Sequence, residues 1–396
     1  MSRWAPTLIA AAVVVAATAA MAASANAQSR PPHSPAPAPF AVGTTTSLAL
    51  DSARHGADST AARPVQITLW YPAQRGDASP MTYGDYFDLA SAERGQAADS
   101  AIQNARAGYR AFAVGHGLAD STFTRWLATP MLGVRDASPA DGRRPLIVIV
   151  NGNGQSAQDQ STLGEYLASY GYVVATMPSY TRISAPPASE ADLGRGAEEQ
   201  ADDIAFVIAR VRTRGDVDAA KLGLLAHSLG ARGALLWQMR AGGAQALVSL
   251  DGGIGTATGR AATEATRSFD RKRLTVPVLH FYERLDGFMT PDWTLLNGLT
   301  NAPVWLARTS DMHHIHFTSL GAWGARVPEV GALVGATPGT VNEYAVVVDV
   351  TRAFLDTYVR GDRRAFVVAK VAAARGERGR AALAIRRSNS GKSTAR

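Results

Sequence analysis

Residues 221–234 read Lys221-Leu222-Gly223-Leu224-Leu225-Ala226-His227-Ser228-Leu229-Gly230-Ala231-Arg232-Gly233-Ala234. The first half is an apolar run suited to a strand buried on both faces. The second half opens a helix with no loop between. At the junction stands a small-x-Ser-x-Gly pattern made by Ala226, Ser228 and Gly230. Such a turn strains the backbone at the serine and pushes its hydroxyl above the strand end. A larger residue two places before or after would collide across the turn, so the sequence meets the steric requirement. Two other Ser-x-Gly triplets, Ser169-Tyr170-Gly171 and Ser319-Leu320-Gly321, carry Leu167 and Phe317 at the earlier position and lack the strand-to-helix context.

The same alternation extends in both directions. Residues 146–150 form a continuous apolar run, followed by the Gly-rich turn Asn151-Gly152-Asn153-Gly154, a helix near 159–170 and a second buried strand over 172–177. Residues 194–213 set Ala197, Ile204, Ala205, Ile208 and Val211 on one helical face. Strands over 222–226, 246–250, 276–282 and 304–307 then interleave with helices over 229–240 and 291–299, and 341–360 reads as a closing helix. Alternating strands and helices predict a parallel sheet covered on both faces. In such sheets function gathers at the carboxyl ends of the strands. Residues 40–50 and 66–72 read as two further strands. Residues 74–140 scatter Tyr83, Tyr86, Phe87, Tyr109, Phe112, Phe123 and Trp126 through a polar helical context, which predicts an insertion beside the core.

A serine hydroxyl needs a base to take its proton. Three histidines cluster in Asp311-Met312-His313-His314-Ile315-His316-Phe317, just after the strand at 304–307. The pattern His-x-x-Phe singles out His314, with His313 and then His316 behind it. The base in turn needs a carboxylate, and Asp251 and Asp286 both follow strands; spacing alone does not choose between them, since either could be a turn residue or a cap. Backbone N–H groups of Asn153, in the Gly-rich turn, and Leu229, at the helix start, are the expected oxyanion donors. No Lys-Ser/Thr follows that turn and its glycines do not fit G-x-G-x-x-G, which argues against a phosphate loop.

The 396 residues are 46% hydrophobic and 18% charged, enough apolar content to exclude wholesale disorder. With no Cys, thiol nucleophiles, disulfides and Cys-ligated metals are ruled out. The net charge of +7 is a local property. Residues 363–396 hold ten Lys/Arg against one acid, Glu377, while 28–362 net −3. The body therefore gives no reason to expect nucleic-acid binding. Segment 363–396 is expected to be a basic tail beyond the folded unit, in which Phe366, Val367, Val368, Val371 and Ala372 add at most a further helical turn or two, dispensable for chemistry and capable of weak, salt-sensitive contact with anionic surfaces. At the other end, Arg3, the apolar run 8–21 and Ala25-Asn26-Ala27 predict a signal peptide over 1–27, cleaved before Gln28. A Pro-rich linker over 28–39 then leads to the domain, 40–362, of an exported protein.

Taken together, these motifs resemble the α/β-hydrolase superfamily, and within it the secreted platelet-activating-factor acetylhydrolases and dienelactone-hydrolase-like esterases. The resemblance covers 66–362. It rests on Leu69-Trp70-Tyr71-Pro72, Asn151-Gly152-Asn153-Gly154, the turn Ala226 to Gly230, Leu250-Asp251-Gly252 and His314-Ile315-His316-Phe317. It implies an α/β-hydrolase fold, a mostly parallel central sheet flanked by helices. It also implies a serine hydrolase that cleaves carboxylic esters of small-molecule or lipid-like substrates through an acyl-enzyme, with no cofactor and no metal. In the acetylhydrolase branch the acid ends the strand after the nucleophile, a place matched by Asp251, 23 residues after Ser228. In most other branches it follows a later strand, as Asp286 does, 28 residues before His314. The resemblance favours Asp251. Departures are Asn151 where the branch has His before Gly, and Ala226 for the first glycine of the turn. Peptidase, polyester or lactone hydrolase on the same fold, and a non-catalytic envelope-binding protein, are the other functions this sequence accommodates.

Overall fold

A strand with no polar face must be covered twice, and this dictates the architecture. The structure, a computed structural model, describes residues 38–55, 61–95, 99–184, 189–283, 290–376 and 383–388. Strand β4 (Arg144–Val150) sends Leu146, Val148 and Val150 into one core and Ile147 and Ile149 into another, all essentially inaccessible. The two cores are the two faces of a single ten-stranded sheet. Its other strands are β1 (Ala41–His55), β2 (Ala62–Ala73), β3 (Gly133–Arg135), β5 (Val173–Met177), β6 (Val217–His227), β7 (Ala246–Leu250), β8 (Val278–Tyr282), β9 (Val304–Arg308) and β10 (Ala384–Arg387). Their order is β10-β9-β8-β7-β6-β4-β5-β2-β1-β3. The six from β9 to β5 are parallel, while β2 on β5, β1 on β2 and β10 on β9 are antiparallel. This is the predicted mostly parallel sheet flanked by helices.

Helices Ala157–Ser169 and Pro338–Leu355 contribute to one core, and Glu190–Val211 and Gly230–Arg240 to the other. The stretch read as an insertion holds helices Tyr83–Leu89, Asp99–Gly115 and Asp120–Leu127. Their Tyr83, Tyr86, Phe87, Phe123 and Trp126 are buried in the core that holds Ile147 and Ile149. The stretch also supplies β3, which pairs parallel with β1 and forms one rim of the sheet. The helix expected over 291–299 is reduced to Thr294–Asn297, and an unforeseen helix, Ala257–Glu264, follows β7 behind the cap Thr256. Residues 1–37, with the expected signal peptide and most of the expected linker, lie outside the described residues. Among the described residues no helix is long and apolar enough to cross a membrane.

The boundary expected at 362 is corrected. Helix Ala365–Arg375 and β10 pack on the sheet, and Phe366, Ala373 and Leu383 are buried in the core. Phe366 meets Phe354 at 5.0 Å and Trp305 at 5.4 Å between ring centroids. Ser388 is buried, its N–H donating to Val304 O at 2.8 Å. The charges that mark this segment in the sequence sit on its outer side, where Arg386 and Arg387 are exposed and Lys370 stands 4.3 Å over the Trp305 ring. Of the apolar residues, Phe366, Ala373 and Leu383 face inward, while Val367, Val368 and Val371 are exposed.

Candidate active site

Three neighbouring parallel strands, β4, β6 and β7, lead at their carboxyl ends to the candidate residues Asn153, Ser228 and Asp251. Strand β6 runs into Ser228, whose φ of +53° is left-handed and non-glycine, and helix Gly230–Arg240 starts at once. The turn is held by Ser228 N–H donating to Leu250 O at 3.1 Å and Gly253 N–H donating to Ser228 O at 2.9 Å. Gly230 is forced by close approach: a Cβ there would lie 2.4 Å from Val150 O and 2.7 Å from Asn151 O, both main-chain atoms. Ala226 is fully buried between β4 and β7, where a small side chain suffices.

Ser228 Oγ lies 2.9 Å from His314 Nε2, and His314 Nδ1 lies 2.6 Å from Asp251 Oδ2. Asp251, at the end of β7, is also left-handed, with φ of +43°, and is nearly fully buried. Its Oδ1 accepts from Glu283 N–H at 3.3 Å. The alternative acid, Asp286, lies outside the described residues. His314 opens the short helix His314–Phe317 beyond β9. The loop before it is anchored by buried Glu343, which accepts from Ser310 N–H at 2.6 Å and Asp311 N–H at 2.7 Å. His316 points away: its Nδ1 accepts from His313 N–H at 2.9 Å and its Nε2 donates to Val334 O at 2.8 Å. His313 caps the helix. Among the described residues no group of three or more His, Asp or Glu is arranged to hold a metal ion.

The Gly-rich turn after β4 lies against the serine. A Cβ on Gly152 would come within 2.8 Å of Ser228 Cβ. Gly152 N–H donates to Gln155 Oε1 and Gly154 N–H to Thr181 Oγ1, each at 2.8 Å. Among the described residues, the N–H groups of Asn153 and Leu229 donate to no protein acceptor. Asn151, where the resembled branch has histidine, is buried and ties the turn to β5 through Thr176 Oγ1 at 3.1 Å and Met177 O at 2.8 Å.

Residues that the sequence reading did not single out complete the surroundings. His227 is buried with Nδ1 2.9 Å from Gln155 Oε1 and Nε2 3.2 Å from the carbonyl oxygen of His314, its ring 4.8 Å from the His314 ring. Burial, then the neighbouring His314, holds its pKa well below the usual imidazole range, and a neutral ring donates to only one of these two oxygens at a time. His280, on β8, bonds Ser249 Oγ at 2.9 Å through Nδ1 and is pushed down to about 4 by burial, against the pull of Asp251. A His beside the serine is visible in the sequence, but its partners come from distant segments and leave no local signal.

No protein-family model matches the chain, and no curated protein matches its sequence. Among solved structures it is similar to a ferulic acid esterase from Streptomyces cinnamoneus, with a TM-score of 0.59 and 21% identity over 81% of this chain and 91% of that one. At that identity the likeness is one of fold, and it agrees with the sheet and its helical layers: this chain has an α/β-hydrolase fold.

Proposed function

We propose that this protein is an exported serine hydrolase that cleaves carboxylic esters. The observation that carries the reading is the continuous hydrogen-bonded line Ser228–His314–Asp251, starting from a serine held in a left-handed turn. In this mechanism Ser228 Oγ attacks the ester carbonyl as His314 Nε2 takes its proton. Asp251 fixes the tautomer of His314 and supports the imidazolium. The unspent N–H groups of Asn153 and Leu229 receive the oxyanion. Collapse expels the alcohol, protonated by His314, and leaves an acyl-Ser228 ester, which water activated by the same imidazole hydrolyses. Likeness to a ferulic acid esterase supports ester chemistry. An acid at the end of β7 is the placement of the acetylhydrolase-like branch.

Turnover of a chromogenic acetate ester by the protein and by Ser228→Ala tests the reading. The variant should lose several orders of magnitude in kcat, and a fluorophosphonate should label Ser228 alone. Equal rates would favour a non-catalytic envelope-binding protein. Peptidase, polyester and lactone substrates belong in the same screen. Export is part of the proposal, and an N-terminus at Gln28 in exported material is the expected result. So is weak contact of the basic C-terminal residues with anionic surfaces, which raised salt should abolish.

A further inference from the structure

Both main-chain groups of Gly154 are gripped by neighbouring residues of the short helix Tyr180–Ile183. Its N–H donates to Thr181 Oγ1 at 2.8 Å, and its carbonyl oxygen accepts from Arg182 Nη1 at 3.2 Å. The grip matters because of what the turn is. Gln155 N–H closes it onto Gly152 O at 3.2 Å, with Gly154 left-handed at φ of +67°, in the place a type II turn reserves for glycine. Glycine has the widest conformational freedom of any residue, so a turn built on Gly152 and Gly154 does not hold one shape by itself. Asn153, the proposed oxyanion donor, lies between them.

Arg182 is held in turn by Glu93. Its Nε donates to Glu93 Oε2, and Glu93 Oε1 accepts from the hydroxyl of Ser156, the residue just before helix Ala157–Ser169. Glu93 therefore frames the turn from two sides, through Arg182 at Gly154 and through Ser156 one residue past Gln155. Glu93 is 3% exposed and the Arg182 side chain 16%, so the pair is largely out of water. Removing two charges from water offsets most of what their attraction returns, and such a pair is better explained by the geometry it fixes than by stability. Glu93 comes from none of the strands that lead to the triad. It lies in the 74–140 insertion, and Arg182 Nη2 reaches the same segment at Ala90 O, 3.4 Å away.

We infer that the Glu93–Arg182 pair positions the oxyanion turn, so that the insertion sets the rate of ester cleavage from outside the triad. The inference rests on the esterase reading above. A donor aimed at the developing oxyanion acts in the transition state and not on the bound ester, so a turn that drifts should cost kcat and spare KM.

The experiment measures kcat and KM for a chromogenic acetate ester, and Ki for an arylboronic acid, whose tetrahedral adduct on Ser228 offers an oxygen to the same donors. Urea denaturation checks the fold of each variant. Glu93→Gln combined with Arg182→Met removes the pair without leaving one charge buried alone. This double variant should lose about tenfold to a hundredfold in kcat, less than deletion of an oxyanion donor outright, with KM within about twofold of wild type and boronate affinity weakened in step with kcat. Arg182→Lys keeps the charge but has one nitrogen to divide between Glu93 and Gly154, and its kcat should fall between the two. If the double variant does not fold, Arg182→Lys carries the test. Wild-type kcat in the folded variants, a rise in KM alone, or a fall in kcat with boronate affinity unchanged overturns the inference and leaves the esterase reading in place. Wild-type protein inactive on every ester of the screen overturns both.

Discussion

Replacing Asp251 by Asn changes one oxygen for an NH2 group, and the geometry dictates which way round the amide sits. Glu283 N–H is a donor 3.3 Å from Oδ1, so the remaining carbonyl oxygen of Asn belongs there. The amide NH2 then takes the position of Oδ2, 2.6 Å from His314 Nδ1, and donates to it. A ring that accepts at Nδ1 carries its proton on Nε2, the atom 2.9 Å from Ser228 Oγ, and can no longer take the serine proton. The wrong tautomer together with loss of the supporting charge is expected to lower kcat by about ten-thousand-fold, on the order of 5 kcal/mol in the barrier. The fold should not suffer, because Asn tolerates the φ of +43° at this position at least as well as Asp. Steady-state turnover of a chromogenic ester, with urea denaturation as the stability control, reads both effects. A folded Asp251→Asn protein within about tenfold of wild-type kcat would refute the assignment, since that change is far below what a wrong tautomer produces.

Acid should destabilise the protein through His280, whose folded pKa of about 4 lies below the unfolded value. As pH falls through 6.5 towards 4 the unfolded chain takes up a proton that the folded one refuses, costing up to about 3 kcal/mol, and His280→Gln should flatten that part of a stability–pH curve measured by urea denaturation. Ending the chain at Gly376 removes buried Leu383 and the whole of β10, and should lower the unfolding free energy by about 2 kcal/mol or more, read as a lower urea midpoint.

The central sheet was legible because parallel strands buried on both faces must be apolar at every position, as residues 146–150 and 246–250 nearly are. Strand β10 was not, because an edge strand needs an inward side chain only at alternate places, and Ala384-Ile385-Arg386-Arg387 offers Ile385 among charges. Ser228 announces itself through the small residues its turn demands. Asp251 does not, since what marks it is its distance to a ring 63 residues away in the chain.

The pairing of β10 with β9 changes what its two arginines mean. A parallel sheet that stopped at β9 would end in an open row of backbone donors and acceptors, a template on which another chain could extend the sheet. Ala384–Arg387 occupies that row and becomes the new rim, with Arg386 and Arg387 exposed along it. Two molecules meeting rim to rim would set guanidinium groups of one strand against those of the other in the alignment that growth of the sheet requires. Positive charge that reads in isolation as an attraction for anionic surfaces thus acts at this rim as a repulsion between copies of the same protein, and guards it against strand-by-strand self-association.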